Sequence, residues 1–305
     1  MRLAVTGASG FVGGAVCRAA TEAGWTVHAF GRRAEVAGEH VGGAPYQSWD
    51  IARGPLPRPP TVDAVVHCAG SVTDWAPRRE QWAANVDGTR HMLETFADVR
   101  VVHVSTASVY DPYRPTVAAV ENQAPVQRYV NTYGESKAAA ERLVSHHPDA
   151  VILRPHAIYG PGDTTLLPRV LQAIRGRRLI AVGDGTQRIS LTSVANLTQA
   201  CLLAAGADAT GIFNVTDAEP VLLADALTTI LAERAIPARV KFVPLPVAWP
   251  VAWLAEKFAR RNAPPRLTRY AVSHLAYERT LDITAARTVL GYEPLPTSFA
   301  GASRW

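Results

Sequence analysis

The sequence predicts an α/β fold, a doubly wound parallel sheet with a smaller C-terminal region. Three observations carry that expectation. Short apolar runs alternate with segments of helical periodicity through the first half of the chain, the pattern of a parallel sheet joined by helical crossovers. The runs are almost continuously hydrophobic, as strands covered on both faces require. A glycine-rich turn follows the first run at once.

In chain order, Leu3 to Val5, Thr26 to Phe30, Ala64 to His67, Val99 to Val104 and Ala150 to Leu153 read as buried strands. Between the first two, Val12, Val16, Ala19, Ala20 and Ala23 recur at helical spacing and stop at Gly24, which gives a helix with a glycine stop. Arg53-Gly54-Pro55-Leu56-Pro57-Arg58-Pro59-Pro60 reads as a proline-rich surface connector. Beyond Gly160 the alternation weakens: helices are expected near 165–175, 193–205 and 222–235, with short strands near 180–182 and 212–215. The expected division is a core over 1–160 and a mainly substrate-covering region over 161–305, with some segments returning to the core.

A chain of 305 residues with 48% hydrophobic and 19% charged residues can bury a large core, which excludes a disordered protein. Cys17, Cys68 and Cys201 are odd in number and far apart, which suits reduced thiols and offers no metal-ligand spacing, so no metal is expected. No run reaches the ~20 apolar residues of a membrane span, and no charged leader with an apolar core precedes the first strand. A soluble, cytoplasmic protein without stable membrane insertion is expected. The net charge of +5 is scattered, with doublets such as Arg32-Arg33 and Arg177-Arg178 as its densest clusters. That argues against nucleic acid as partner and suits a polyanionic small molecule.

The chemistry concentrates at two places. In Thr6-Gly7-Ala8-Ser9-Gly10-Phe11-Val12-Gly13, glycines at 7, 10 and 13 allow a tight turn, close approach of a pyrophosphate to the amides at a helix start, and close packing of helix on strand. Tyr133 and Lys137 stand four residues apart, on one face of a helix. A phenol beside an ammonium is a proton source with a tuning charge. Only three of the 31 basic residues are lysines, and a Tyr-x-x-x-Lys spacing arises by chance about 0.1 times in such a chain.

Taken together, these motifs resemble the extended short-chain dehydrogenase/reductase superfamily, the NAD(P)-dependent epimerases and dehydratases, over essentially the whole chain. The likeness rests on the glycine turn, Asp50-Ile51, His67-Cys68-Ala69-Gly70, Asn85 in Asn-Val-Asp-Gly-Thr, Ser105-Thr106-Ala107-Ser108-Val109-Tyr110, the Tyr133/Lys137 pair and Arg154-Pro155-His156-Ala157-Ile158-Tyr159-Gly160. It implies a Rossmann fold and a catalytic set of Thr106, Tyr133 and Lys137. Thr106 would hold the substrate oxygen, Tyr133 exchange the proton, and Lys137 lower the phenol's pKa while binding the nicotinamide ribose. It implies coenzyme contacts at Gly7, Ser9, Gly10, Phe11, Val12, Gly13, Asp50, Ile51, Cys68, Ala69, Gly70, Asn85, Ser105, Tyr133, Lys137, Pro155, His156 and Ile158. Substrate contacts fall at Thr73, Ser108, His156 and Arg188, and a homodimer is implied through helices that include the one bearing Tyr133.

The second strand ends in Phe30-Gly31-Arg32-Arg33. With guanidiniums where a carboxylate would grip a ribose 2′-hydroxyl, Arg32 and Arg33 point to NADP(H), with NAD the alternative. Ala107 and Ser108 lack the acidic pair that the resemblance associates with dehydratases, and Ser108 replaces the glutamate of decarboxylating relatives. Segments such as Ser193-Val194-Ala195-Asn196-Leu197 and Arg266-Leu267-Thr268-Arg269-Tyr270 resemble the branch of 3β-hydroxysteroid dehydrogenases. The expectation is an oxidoreductase interconverting a carbonyl and an alcohol on a rather apolar small molecule. A nucleotide-sugar epimerase is the alternative, with Arg188 as its phosphate-binding residue, and a non-catalytic dinucleotide sensor is the remaining class. Two tryptophans in the apolar stretch 247–258 read as a lid helix, a wall for an apolar substrate, or a shallow membrane contact.

Overall fold

The computed structural model describes residues 1–259 and 265–305. Seven parallel strands form the central sheet: β1 (Arg2–Thr6), β2 (Thr26–Gly31), β3 (Tyr46–Ser48), β4 (Ala64–His67), β5 (Arg100–Val104), β6 (Ala150–Arg154) and β7 (Gly211–Asn214), in spatial order β7-β6-β5-β4-β1-β2-β3. Every neighbouring pair is parallel. The five strands expected from the apolar runs are present within a residue of their bounds. β3 carries the polar run Tyr-Gln-Ser at an exposed edge, so it left no hydrophobic trace in the sequence.

Alternate residues of each strand serve opposite layers. Leu3, Val5, Val66, Val102 and Leu153 face one core, covered by helix α1 (Phe11–Glu22) and by later elements that supply Leu197, Ala200, Cys201 and Leu290. Ala4, Val65, Val101 and Ile152 face the other, with Met92 and Phe96 at helix α2 (Gly88–Thr95) and Val144 of helix α3 (Thr132–Val144). The sheet is thereby buried on both sides.

The second half of the chain does two jobs. Helix α4 (Val194–Gly206), β7 and a short helix Thr284–Leu290 return to the central sheet. Helix α5 (Leu223–Glu233) backs a three-stranded sheet of Ile174–Arg175, Arg178–Val182 and Arg239–Val243. Helices α6 (Leu245–Phe258) and α7 (Arg269–Ala276) pack together at one end of it. A small mixed sheet joins the halves, pairing Arg279–Leu281 with both Thr116–Ala119 and Arg188–Ile189. The proline-rich stretch 53–60 forms neither helix nor strand.

Candidate active site

The strand order reverses direction between β1 and β4, so the crevice at their carboxyl ends is the natural ligand site of such a sheet. The glycine turn sits there. Gly7 has φ +71°, and a Cβ on it would lie 2.7 Å from the Ala69 nitrogen, so the turn after β1 and the Cys68-Ala69-Gly70 turn after β4 touch through bare backbone. A Cβ on Gly13 would lie 2.3 Å from the Gly7 carbonyl oxygen, which fixes α1 against the strand. Gly10 begins α1 with no capping side chain, and no acidic residue stands in the first turn. The free N–H groups and positive dipole end of α1 therefore suit a pyrophosphate.

Around this cradle, Tyr46 donates from its hydroxyl to the Arg33 carbonyl (2.8 Å), fixing the turn that exposes Arg32 and Arg33. Ser9 lies against Gly31 and hydrogen-bonds Tyr46. Asp50 accepts from the Ala52 amide (3.2 Å) and pairs with Arg53, while Ile51 is buried against Gly88. Asn85 accepts from the Ser71 amide (2.7 Å) and donates to the Ser136 hydroxyl (2.9 Å), tying the loop after β4 to α3. Phe11 and Val12 form the first turn of α1, and Ile158 pairs with Thr192 at the far rim. His40 was not singled out in the sequence: its Nε2 lies 3.1 Å from the Ala8 carbonyl and 3.2 Å from that of Gly10, bracing the turn.

Beyond β5, the Ala107 amide donates to the Pro155 carbonyl (2.8 Å), and Thr106 caps a short turn by accepting from the Ser108 amide (3.1 Å). Asn131 caps α3 by accepting from the Gly134 amide (3.2 Å). A Cβ on Gly134 would lie 2.8 Å from the Ser108 carbonyl, so glycine there lets α3 approach the Thr106 turn. The result is a chain of hydroxyls: Tyr133 bonds Thr106, Thr106 donates to Ser108 (3.1 Å), and Ser108 meets Tyr270 of α7 (2.8 Å). The Tyr133 and Tyr270 rings meet edge to face with centroids 6.0 Å apart.

Lys137 lies one turn below Tyr133 and points inward. Its Nζ donates to the Val104 carbonyl (2.8 Å) and lies 3.4 Å from His103 Nε2. Burial pulls its pKa down to about 8, against the opposing pull of Glu141 and Cys68. The sequence led us to expect this ammonium to lower the Tyr133 pKa. Here burial pushes the phenol's pKa up, with the Thr106 hydrogen bond and Arg169 pulling the other way, while one Lys137 N–H is held by the Val104 carbonyl of β5.

His103 stacks on His67 with centroids 5.2 Å apart. Both are held neutral, His67 down to about 3 and His103 well below its usual value, each chiefly by burial. The His67 tautomer follows from its neighbours: Thr89 gives its proton to the Asn85 carbonyl, so His67 Nε2–H donates to Thr89 while Nδ1 accepts from Thr6.

Of the residues expected at the substrate, Ser108 joins the hydroxyl chain. His156 is buried, donates from Nδ1 to the Ser190 carbonyl (2.7 Å) and lies 3.3 Å from His274 of α7. Thr73 closes a turn with Trp75 beside Asp74, which holds α7 through Thr268 (2.6 Å) and also pairs with Arg169 (2.7 Å). Arg188 is not brought into this cluster; it is exposed and donates to the Pro220 carbonyl (3.2 Å). Ser105 turns its hydroxyl inward to the buried Glu141–Arg154 ion pair (2.7 Å). Tyr270, noted only as part of a resembling segment, and His274 were not read as site residues, because only tertiary folding carries them to residues some 160 and 118 positions away. Among the described residues no group of three or more His, Cys, Asp or Glu could hold a metal ion.

The chemistry available is proton delivery from a buried phenol at the carboxyl edge of a dinucleotide cradle. Residues 3–216 match the NAD dependent epimerase/dehydratase family. The 4-hydroxy-2-methyl-3-oxo-4-farnesyl-3,4-dihydroquinoline-1-oxide ketoreductase of Stigmatella aurantiaca is 34% identical, covering 96% of this chain and 92% of its own. The 2-alkyl-3-oxoalkanoate reductase of Stenotrophomonas maltophilia is 30% identical, covering 96% and 95%. A UDP-galactose 4-epimerase crystal structure superposes with a TM-score of 0.75 at 20% identity, over 100% of this chain and 97% of that one, a likeness of fold. The chain belongs to the NAD dependent epimerase/dehydratase family, the extended short-chain dehydrogenases/reductases, and is an NAD(P)-dependent oxidoreductase of that family.

Proposed function

We propose that the protein is an NADP(H)-dependent ketoreductase acting on a ketone that carries an apolar alkyl or prenyl chain. The observation that supports this reading best is the buried Tyr133 hydroxyl bonded to Thr106, with the uncharged Ser108, Tyr270, His156 and His274 beside it and the charges of Arg169, Asp74 and Arg279 farther out. Two relatives with near-complete overlap bear the names of reductases of oxo compounds with hydrocarbon chains. The only arginine expected to grip a nucleotide-sugar phosphate, Arg188, faces Pro220 instead.

The coenzyme would lie with its pyrophosphate on α1 and its adenosine phosphate between Arg32 and Arg33; when bound, the nicotinamide supplies the hydride. Thr106 would hold the carbonyl oxygen while Tyr133 gives its proton to the alkoxide that develops there. Lys137 would reach the ribose from its seat on Val104. Residues 1–160 would serve the coenzyme, and 161–305 mainly the substrate.

Tyr133→Phe removes the proton and little else. Turnover with a 2-alkyl-3-oxoalkanoate should fall about 10²-fold to 10⁴-fold, with NADPH affinity within a few-fold of wild type by fluorescence titration. Near-normal turnover in the variant would remove Tyr133 from the mechanism. Interconversion of UDP-hexoses without net coenzyme consumption would replace the ketoreductase by an epimerase.

A further inference from the structure

Helix α6 covers the protein with one side only. Ala248 and Ala252 pack on Val182 and Val272, fully or nearly fully buried. On the opposite side Val247, Val251, Leu254 and Phe258 form a stripe at helical spacing, between 46% and 77% exposed, with Trp253 beside it at 45%. Among the described residues of α6, Lys257 is the only charge on that exposed side, and its Nζ rests 5.1 Å from the centre of the Trp253 ring. A contiguous exposed apolar face of this kind marks an interaction site.

The neighbouring surface names the partner. In the three-stranded sheet Arg178 stands opposite both Arg175 and Arg239, so three arginines occupy adjacent positions across the strands. Like charges in direct register are destabilising. Lys241 follows two residues along the same face, all four are exposed, and among the described residues none of them pairs with a carboxylate. The next residues on that face, Val182 and Val243, are the ones that α6 and α7 cover. The strand period of two therefore puts the cationic row and α6 on one side of the molecule.

An apolar helix face next to uncompensated cations matches the boundary between acyl chains and anionic headgroups. We propose that this side of the protein docks reversibly on an anionic lipid surface, with α6 lying in the plane of the interface. At 14 residues α6 is too short to cross it. A symmetric contact between two copies through α6 would instead bring their cationic rows toward one another. Helix α7, packed on α6, carries the Tyr270 that rests on Tyr133, so one helix separates the docked side from Tyr133.

The test is co-sedimentation of the full chain with vesicles of phosphatidylcholine alone and of an equimolar mixture with phosphatidylglycerol. The protein should pellet with the mixed vesicles, much less with the neutral ones, and release at high salt. Val251→Asp with Leu254→Asp, and separately Arg178→Glu with Arg239→Glu, should each weaken binding at least about tenfold. NADPH binding and thermal unfolding should match wild type, which shows that the variants fold. No pelleting with mixed vesicles, or equal pelleting with both kinds, overturns the proposal. A concentration-dependent dimer that Val251→Asp dissolves, with no vesicle binding, would assign the face to a second copy.

Discussion

Lys137 reaches into the protein rather than out of it, and that placement makes its charge conditional. The same inward turn is seen at Ser105, and both depend on groups far apart in sequence, Val104 and His103 for one and the Glu141–Arg154 pair for the other. Tyr133 and Lys137 could be singled out because their spacing is local, and Thr106 because its motif resembles the family's. Which way each side chain points was not legible, because burial and long-range partners decide it. Arg32 and Arg33 are different: exposed at the end of β2, they have no described ion-pair partner, so a bound phosphate would be their first. Replacing both by alanine should raise the KM for NADPH by about tenfold to 200-fold, the net loss of one charge-assisted hydrogen bond at about 1.5–3 kcal/mol. The KM for NADH should change little in steady-state assays, and an equal rise for both would locate the 2′-phosphate elsewhere.

At the scale of elements, the five long strands and α1 could be read from apolar runs and from a glycine stop, since their residues are buried on both faces or on one helical stripe. The strands Arg188–Ile189 and Arg279–Leu281 could not, being two or three residues long and paired with partners far along the chain. The glycine turn is where element geometry and binding meet. Gly13→Ala forces a methyl to within 2.3 Å of the Gly7 carbonyl, so α1 must shift away from β1 at a cost of about 1–3 kcal/mol. NADPH affinity should drop at least tenfold and the melting temperature should fall. Gly206→Ala at the end of α4, where nothing lies within 4 Å, is the control and should leave both unchanged. Undiminished NADPH binding by Gly13→Ala would separate the turn from the coenzyme.

Among the described residues three imidazoles are buried as neutral groups, His67 on β4, His103 on β5 and His156 after β6, and the half-buried His274 on α7 is also held neutral. An unfolded histidine takes up a proton below about pH 6.5, whereas burial holds His67 down to about 3 and His156 to about 4. Between those limits the unfolded chain binds more protons than the folded one, so stability falls as the pH falls. Thermal unfolding from pH 7.5 downward should show a melting temperature that declines steadily below about 6.5, with His67→Gln giving a shallower slope. A flat profile down to pH 5 would mean that these rings gain no proton on unfolding.

The parallel order of the central sheet has a consequence for how the chain is made. β6 pairs with β5 on one side, but its other edge waits for β7, whose residues 211–214 emerge from the ribosome only after the small sheet's first strands and α4. During that interval the nascent protein presents Ala150–Arg154, an entirely buried strand in the finished molecule, as a bare apolar rim open to other chains. Synthesis slowed between those two points should therefore favour aggregates over native enzyme, whereas slowing after residue 214 should not.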